Sequence, residues 1–337
     1  MFSVFNEPPP NISKNKAADL INDYYGISCM AKDLYSERDQ NFYIISENKD
    51  EYILKISNPA EDQSALQMQI ECTNYISKKD KGLNIPLTIR SEAGDDIIIL
   101  NQDGISYYCR LVTFLSGIFL KDYRHSDDML FRMGCFMARL STAMKGFDHP
   151  ASRRKFAWNL SQKDFIENFS DGLGSNEDVE IVHFFFNQAQ AYCLEYGKDL
   201  PLAVIHNDGN DHNILVNNLG NTNGIIDFGD MCFSFQAAEP AVAMAYVALD
   251  ANNPFISMRQ ILKGYNESFK LSEREIKFTI YLVCLRLCIS VTMSAYRKKL
   301  FPQNKYITVS EASAWEFLKY MRSQDILGWS ENLYDSV

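Results

Sequence analysis

The sequence predicts an α+β protein of two lobes: a small lobe with a five-stranded antiparallel sheet and one helix, then a larger, mainly helical lobe. Two observations support this prediction. Strand-like alternation of apolar and polar residues recurs in the first 114 residues, whereas apolar residues at helical spacing dominate after residue 127. The 337 residues can form one large or two ordinary hydrophobic cores. We therefore expect a small lobe over residues 1–117 and a large lobe over residues 118–337.

The small lobe begins with a predicted helix over residues 14–25, which follows three consecutive prolines and ends at Gly26. A second helix is expected after the third strand, because Asn58 suits an N-cap and Pro59 suits the first helical position. This helix should run to about residue 77. The predicted strands cover residues 30–35, 42–46, 52–56, 97–100 and 106–114.

The large lobe follows a short link at residues 115–117. Its first predicted helix, residues 127–144, carries Met and Phe at helical spacing, a pattern typical of core packing. The apolar run 278–296 is interrupted by Arg286, which favours a core helix over a membrane span. The other predicted helices cover residues 162–168, 178–194, 239–249, 256–265, 273–297 and 309–321.

The run from residue 205 to residue 230 carries the strongest chemical signal. Asp208 and Asn213 follow the pattern H-x-D-x-x-x-x-N, and Asp227 lies fourteen residues later in I-I-D-F-G-D. Two short apolar strands, 214–216 and 224–226, flank a polar turn and should bring Asn213 and Asp227 side by side. Oxygen ligands of this kind suit Mg²⁺, and the aspartate suits an acceptor hydroxyl, as in phosphoryl transfer. The alternative is that all three are turn and capping residues.

Two charged residues upstream fit the same chemistry. Lys55 lies on the strand E-Y-I-L-K-I, and Glu71 lies on the helix that follows it. Kinases use a strand lysine to hold nucleotide phosphates and a helix glutamate to hold that lysine. Taken alone, both residues would be ordinary solvated charges. Their order ahead of Asp208 favours a nucleotide-binding pair.

These motifs resemble those of the aminoglycoside phosphotransferase and choline kinase group of the protein-kinase-like superfamily. Within that group the chain is most similar to hydroxylysine kinases and to phosphotransferase modules fused to class III aminotransferases, through S-E-R-D-Q-N-F, Y-I-L-K-I-S-N, N-D-G-N-D-H-N-I-L-V and the segment 225–246. The resemblance covers most of the chain and implies a protein-kinase-like fold. It implies that Lys55 binds phosphates and Glu71 orients it, that Asp208 is the catalytic base, and that Asn213 and Asp227 bind magnesium.

The resemblance also implies a nucleotide co-substrate, ATP or GTP, and a hinge at Phe114, Leu115 and Gly117 whose main chain meets the base. The chain departs from the family at Asn207, where glycine is usual, although asparagine tolerates a left-handed backbone. It also lacks the G-x-G-x-x-G of protein kinases.

In place of a glycine-rich loop we expect Ser36, Gln40 and Asn41, with main-chain N–H groups, to cover the phosphates. The alternative for this segment is an ordinary polar hairpin. His206 is expected to brace the catalytic loop by hydrogen bonding rather than to perform chemistry.

The acceptor is expected to be a small molecule with a hydroxyl and an amine, such as hydroxylysine. Carboxylates for the ammonium and aromatic faces for the stem are required, and the candidates are Asp230, Glu239, Trp158 and Tyr246. Homoserine, choline or ethanolamine, and aminoglycosides remain alternative acceptors. Outside enzymes, a nucleotide-binding pseudokinase is the alternative. A protein kinase is disfavoured, because no A-P-E motif follows Asp227.

Composition excludes some classes of partner. The net charge of −10 argues against a nucleic-acid ligand, which calls for a basic surface. The eight cysteines form no C-x-x-C pair, and no secretory signal is apparent, so we expect a reducing, cytoplasmic setting and no membrane association. The sequence leaves the oligomeric state open.

Overall fold

The computed structural model describes residues 3–36, 38–249, 251–302 and 311–337. Its N-terminal part contains an antiparallel sheet of six strands, in the order β1-β2-β3-β6-β4 with β5 also paired to β6. The prediction of five strands missed β4, which is only two residues long. The strands are β1 Cys29–Leu34, β2 Gln40–Ser46, β3 Glu51–Ile56, β4 Thr88–Ile89, β5 Ile98–Gln102 and β6 Ile105–Thr113.

Two helices accompany this sheet. Helix α1, Lys14–Tyr25, has the predicted bounds and ends at Gly26 with φ of 64°. Helix α2, Gln63–Lys79, begins later than predicted, with Asp62 as its N-cap. Asn58 is not a cap; it is buried, and its side-chain amide donates to the carbonyls of Glu7, Pro8 and Arg38. This buried amide therefore fixes the N-terminal segment of the chain to the small lobe.

The large lobe is mainly helical. Helix α3 has the predicted bounds, and the other predicted helices are present with ends shifted by a few residues. The start of the predicted helix 309–321 lies outside the described residues, and the last helix was not predicted. The helices are α3 Asp127–Met144, α4 Asp164–Phe169, α5 Asn176–Tyr196, α6 Ala238–Leu249, α7 Pro254–Ser268, α8 Glu273–Leu300, α9 Glu311–Arg322 and α10 Ile326–Asp335.

Helix α8 is long and apolar enough to cross a membrane by length and composition, but 94% of its most apolar window is buried inside the protein. It packs against α4, α5, α6, α9 and α10. Burial on all sides is what a core helix of a folded lobe requires. The expectation of a core helix over 273–297 is therefore confirmed.

Five short strands position the chemistry. Strands β7 Ile118–Phe119, β9 Ile214–Val216 and β10 Thr222–Ile225 form one antiparallel sheet. Strands β8 Leu202–Ile205 and β11 Cys232–Phe235 form another. The loops after β8 and β10 carry the predicted catalytic and metal-binding residues, so the strand–turn–strand prediction is confirmed.

The buried apolar residues form two clusters. One lies between α1 and the six-stranded sheet and includes Ile12, Phe42 and Leu54. The other fills the helical lobe and includes Phe5. Phe5 and Ile12 belong to different clusters, so the N-terminal segment runs from the large lobe to the small one. The lobe boundary at residue 117 stays a prediction.

Candidate active site

A cavity of about 820 Å³ lies between the sheet and the helical lobe. This volume is typical of a site for a small ligand. Its wall includes Lys55 and Phe114 from the small lobe and Asp208, Asn213 and Asp227 from the large lobe. The structure thus brings together the four residues whose spacing predicted phosphoryl-transfer chemistry.

The catalytic loop begins directly after β8. Asn207 occupies the position at which the related family has glycine. Its φ of 66° lies in the left-handed region, which asparagine tolerates, as expected. Its side-chain amide donates to the main-chain oxygens of Trp158 at 3.3 Å and Asp230 at 3.1 Å. Asparagine therefore keeps the turn that glycine would allow, and it adds two bonds that glycine could not make.

His206 braces this loop, as predicted. Its Nδ1 accepts from the main-chain N–H of Asp208 at 3.2 Å, so the proton lies on Nε2, which donates to the carbonyl of Ile226 at 3.2 Å. Its own main-chain N–H donates to Glu239 at 2.7 Å. Burial lowers the pKa of His206 to about 4, so the ring is neutral at pH 7. The ring thus links Asp208 to the segment that carries Asp227.

The carboxylate of Asp208 accepts three side-chain hydrogen bonds. Asn213 donates to Oδ2 at 2.6 Å, while Asn210 at 2.8 Å and Nη2 of Arg286 at 2.9 Å both donate to Oδ1. Burial, together with the charge of Asp230, raises the pKa of Asp208 to about 7 although Arg286 opposes the shift. A carboxylate with this pKa can accept a proton near neutral pH.

Lys55 and Asp227 form an ion pair across the cavity, with 3.3 Å between Nζ and Oδ1. The positive charge of Lys55 is the main cause that holds the pKa of Asp227 well below its usual range. Asp227 also accepts from the N–H of Gly229 at 3.2 Å. Asp227 is therefore ionised and held in place at neutral pH.

The predicted pairing of Lys55 with Glu71 is wrong. Glu71 is exposed, accepts from Gln67 at 3.1 Å and lies 4.0 Å from His149. Two residues earlier on α2, Gln69 faces the interior, where it accepts from Nη2 of Arg110 at 3.0 Å. Positions two apart on a helix point in different directions, so only one of them can face the cavity.

The donor set fits magnesium. The amide nitrogen of Asn213 donates to Asp208, which leaves its oxygen available for a metal. In the part of the chain that the structure describes, no cluster of three or more His, Cys, Asp and Glu could hold a metal. Two oxygen ligands completed by phosphates and water are the usual arrangement for magnesium, which rarely uses an all-protein cage.

Only part of the predicted phosphate loop reaches the cavity. Ser36 and Asn41 line it. Gln40 does not, because its side chain accepts from the N–H of Ile12 at 2.7 Å and donates to its carbonyl at 2.9 Å. The role predicted for Gln40 is therefore wrong: it fixes the N-terminal segment. From the same loop Arg38 donates to Asp230 at 2.6 Å, which links the two lobes.

The contact of the hinge main chain with a nucleotide base stays a prediction. Phe114 and Leu115 line the cavity. Gly117 faces β9 instead, where an added Cβ would lie 2.9 Å from Cβ of Leu215. Glycine is required there for close packing rather than for contact with a ligand in the cavity.

Three of the four acceptor candidates line the cavity, namely Trp158, Asp230 and Tyr246. Glu239 does not; it is fully buried beneath the catalytic loop. Burial raises its pKa to about 7, and the N–H groups of His206 and Asn207 partly offset this shift. The substrate role predicted for Glu239 is therefore wrong, and the residue supports the loop instead.

Arg286 and Arg38 are two charged residues of the cavity wall that sequence reasoning missed. Arg286 is the one charge in the apolar run 278–296, and a charge in an otherwise buried helix rarely lacks a partner. The lone charge of Arg286 therefore predicts a buried partner as well as arguing against a membrane span. Arg38 lies in a polar loop, where an arginine is ordinary, and carries no comparable signal.

Comparison with known proteins agrees with this geometry. The family model described as "Phosphotransferase enzyme family" matches residues 34–267, well over half of the chain. The chain belongs to this phosphotransferase family. The match includes Lys55, the catalytic loop and Asp227, so the recognition from sequence motifs is confirmed.

Relatives and structures extend the comparison. A hydroxylysine kinase of Mus musculus is 27% identical over 337 residues, covering 93% of this chain and 90% of that protein. A homoserine kinase of Zymomonas mobilis is 34% identical over 132 residues, which is 33% of this chain and 41% of that protein. By structure, an amicoumacin kinase in complex with AMP-PNP, Ca²⁺ and Ami superposes with a TM-score of 0.72 at 14% identity, covering 94% of this chain and 96% of that one.

A microcompartment-associated aminopropanol kinase superposes with a TM-score of 0.70 at 14% identity, covering 94% of each chain. Similarity at this level of identity establishes the fold. The predicted α+β, protein-kinase-like fold with an antiparallel sheet and a helical lobe is confirmed.

Proposed function

We propose that this protein is a small-molecule kinase that transfers the γ-phosphoryl group of ATP or GTP to a hydroxyl of a small hydroxy amino acid or amino alcohol, such as hydroxylysine. The observation that carries the proposal is the convergence of Lys55, Asp208, Asn213 and Asp227 on one cavity. Similarity to hydroxylysine kinases over most of the chain supports the acceptor class.

In this mechanism Lys55 holds the nucleotide phosphates and Asp208 receives the proton of the acceptor hydroxyl. Asn213 and Asp227 would hold magnesium, which would supply positive charge to offset that of the nucleotide phosphates. His206 and Asn207 fix the loop so that Asp208 needs little reorganisation during transfer. Catalysis then consists mostly of positioning and charge stabilisation, as phosphoryl transfer requires.

Homoserine is the second candidate acceptor, because a homoserine kinase is 34% identical over 132 residues. Choline, ethanolamine and aminoglycosides are further candidates. A pseudokinase, which binds nucleotide without turnover, is the non-enzyme alternative. A reducing, cytoplasmic setting is part of the proposal, supported by eight cysteines that are all free thiols.

The test is a coupled assay of nucleoside-diphosphate release with Mg²⁺ and ATP or GTP. Hydroxylysine, homoserine, choline, ethanolamine and an aminoglycoside are supplied in turn as the acceptor. Asp208→Asn is the inactive variant, and Glu71→Gln is the matched control because Glu71 is an exposed acid outside the cavity. Release that requires one acceptor, survives in Glu71→Gln and disappears in Asp208→Asn supports the proposal. Nucleotide binding without release for any acceptor would favour the pseudokinase.

A further inference from the structure

Arg286 has an unusual position for an arginine. It lies in the middle of α8, it lines the cavity, and its side chain is 2% exposed. Its guanidinium lies over the ring of Trp158, 4.3 Å from the centroid, and 5.5 Å from that of Tyr246. The aromatic rings restrict the guanidinium plane, so its hydrogen-bonding edge has a fixed direction.

The bonds to this guanidinium are incomplete. Nε donates to the hydroxyl of Tyr246 at 3.2 Å, and Nη2 donates to Asp208 at 2.9 Å. Nη1 is buried and has no hydrogen-bond partner among the described residues. A buried N–H without a partner is costly, and more so on a charged group.

Asp208 contacts only one side of this guanidinium. Its carboxylate is shared with Asn210 and Asn213, and it contacts one of the two terminal nitrogens of Arg286. A guanidinium presents Nη1 and Nη2 as a fork that matches a carboxylate with two parallel bonds. The unpaired Nη1 therefore leaves one arm of this fork available for a second carboxylate.

We infer that the acceptor is a hydroxy amino acid whose carboxylate binds to Arg286 while its hydroxyl reaches Asp208. This inference rests on the proposed kinase function and narrows its substrate. Because Arg286 contacts Asp208 directly, a small molecule that carries both a carboxylate and a hydroxyl can reach both residues at once. Hydroxylysine and homoserine meet this requirement, whereas ethanolamine, choline and aminoglycosides have no carboxylate.

The surrounding wall suits the rest of such an acceptor. Trp158 and Tyr246 line the cavity beside Arg286, and Ser290 and Ser294 belong to the wall formed by α8. The alternative role for Arg286 on the same geometry is contact with the transferred phosphoryl group. That role would make no distinction between acceptors with and without a carboxylate.

The experiment uses two pairs of acceptors that differ only in the carboxylate: hydroxylysine with its decarboxylated diamino alcohol, and homoserine with its decarboxylated amino alcohol. kcat/KM is measured for each acceptor with the wild-type protein, Arg286→Lys and Arg286→Met. We expect the wild type to prefer the carboxylate member by about 100-fold or more for the better pair. Arg286→Met should reduce that preference to within about threefold, and Arg286→Lys should retain part of it.

The preference is a ratio, so any common loss of rate through the contact with Asp208 cancels. Equal losses for both members of a pair would overturn the inference and favour the phosphoryl role. A wild-type protein that turns over the decarboxylated acceptors equally well would also overturn it, even if neither variant folds.

Failure of the kinase function has a different signature. If no acceptor is phosphorylated although nucleotide binds, the proposed function fails, and acceptor binding is then measured by calorimetry with a non-hydrolysable nucleotide. Tighter binding of the carboxylate member, lost in Arg286→Met, still supports the carboxylate site. Equal binding of both members contradicts it.

Discussion

Glu239 provides a sharp test of how the catalytic loop is supported. Its carboxylate accepts from the N–H of His206 at 2.7 Å, the N–H of Asn207 also faces it, and the residue is fully buried. Glu239→Ala would leave two buried N–H groups without an acceptor and would open a cavity. Each unsatisfied group costs about 1–3 kcal/mol, so we expect a loss of about 3–5 kcal/mol in the free energy of unfolding.

Glu239→Gln is the matched variant. It keeps an acceptor oxygen and the volume, and it resembles the protonated carboxyl that burial favours. We expect its free energy of unfolding at pH 4.5, where the buried carboxyl of the wild type is protonated, to lie within about 1 kcal/mol of the wild type, with KM for the acceptor unchanged. Urea unfolding followed by circular dichroism measures the first quantity, and steady-state kinetics the second.

The pH dependence adds an independent check. Because burial raises the pKa of Glu239 from 4.5 to about 7, the folded state binds the proton more tightly than the unfolded state. The stability contributed by this group is therefore fully present below its unfolded pKa and is lost as pH rises to about 7. Relative to the wild type, Glu239→Gln should gain up to about 3 kcal/mol between pH 4.5 and pH 8.

A loss below about 1 kcal/mol for Glu239→Ala would refute the bracing role. A large rise in KM for Glu239→Gln, with stability unchanged, would restore the substrate role that the structure argues against.

Three further predictions concern the cavity itself. Asp227→Asn should lower kcat about 1,000-fold or more while leaving the circular dichroism spectrum intact, because asparagine keeps the shape but lacks the negative charge that would bind magnesium and that pairs with Lys55. The kcat/KM for the acceptor should fall as pH drops below about 7, because protonated Asp208 cannot accept the hydroxyl proton; a pH–rate profile measures this. Lys55→Met should cost about 100-fold in kcat/KM for nucleotide, whereas Glu71→Gln should stay within about twofold, since an exposed charge contributes little.

Each of these has a clear contrary result. If Asp227→Asn keeps the turnover of the wild type, Asp227 is not a magnesium ligand. A profile that is flat between pH 5 and pH 8 would mean that Asp208 is not the titrating base. A large effect of Glu71→Gln would show that α2 rotates or shifts when nucleotide binds.

The features that sequence could predict are those fixed by local pattern. The spacing of Asp208, Asn213 and Asp227 sets a strand, a turn and a second strand within a short stretch, so their convergence follows from neighbouring residues. Helix α1 ends at Gly26 for a local reason, its left-handed backbone. The family model then matched the same motifs.

The failures concern residues whose role is set by distant partners. Whether Gln69 or Glu71 faces inward depends on where α2 begins and on Arg110 of β6, which no local pattern specifies. Glu239 begins a helix, where a negative charge is favourable anyway, yet its partner His206 lies 33 residues earlier. Arg286 and Asp208 are 78 residues apart. Polar pairs of this kind become visible only once packing is known.

The course of the N-terminal segment has a mechanical consequence. The chain passes between the lobes once at the hinge, near Leu115, and once between Phe5 and Ile12, where Asn58 and Gln40 hold the segment on the small lobe. Helix α2 also packs against α3 of the large lobe. The lobes can therefore separate only as far as both chain connections and this packing allow, which limits how the cavity between them can widen.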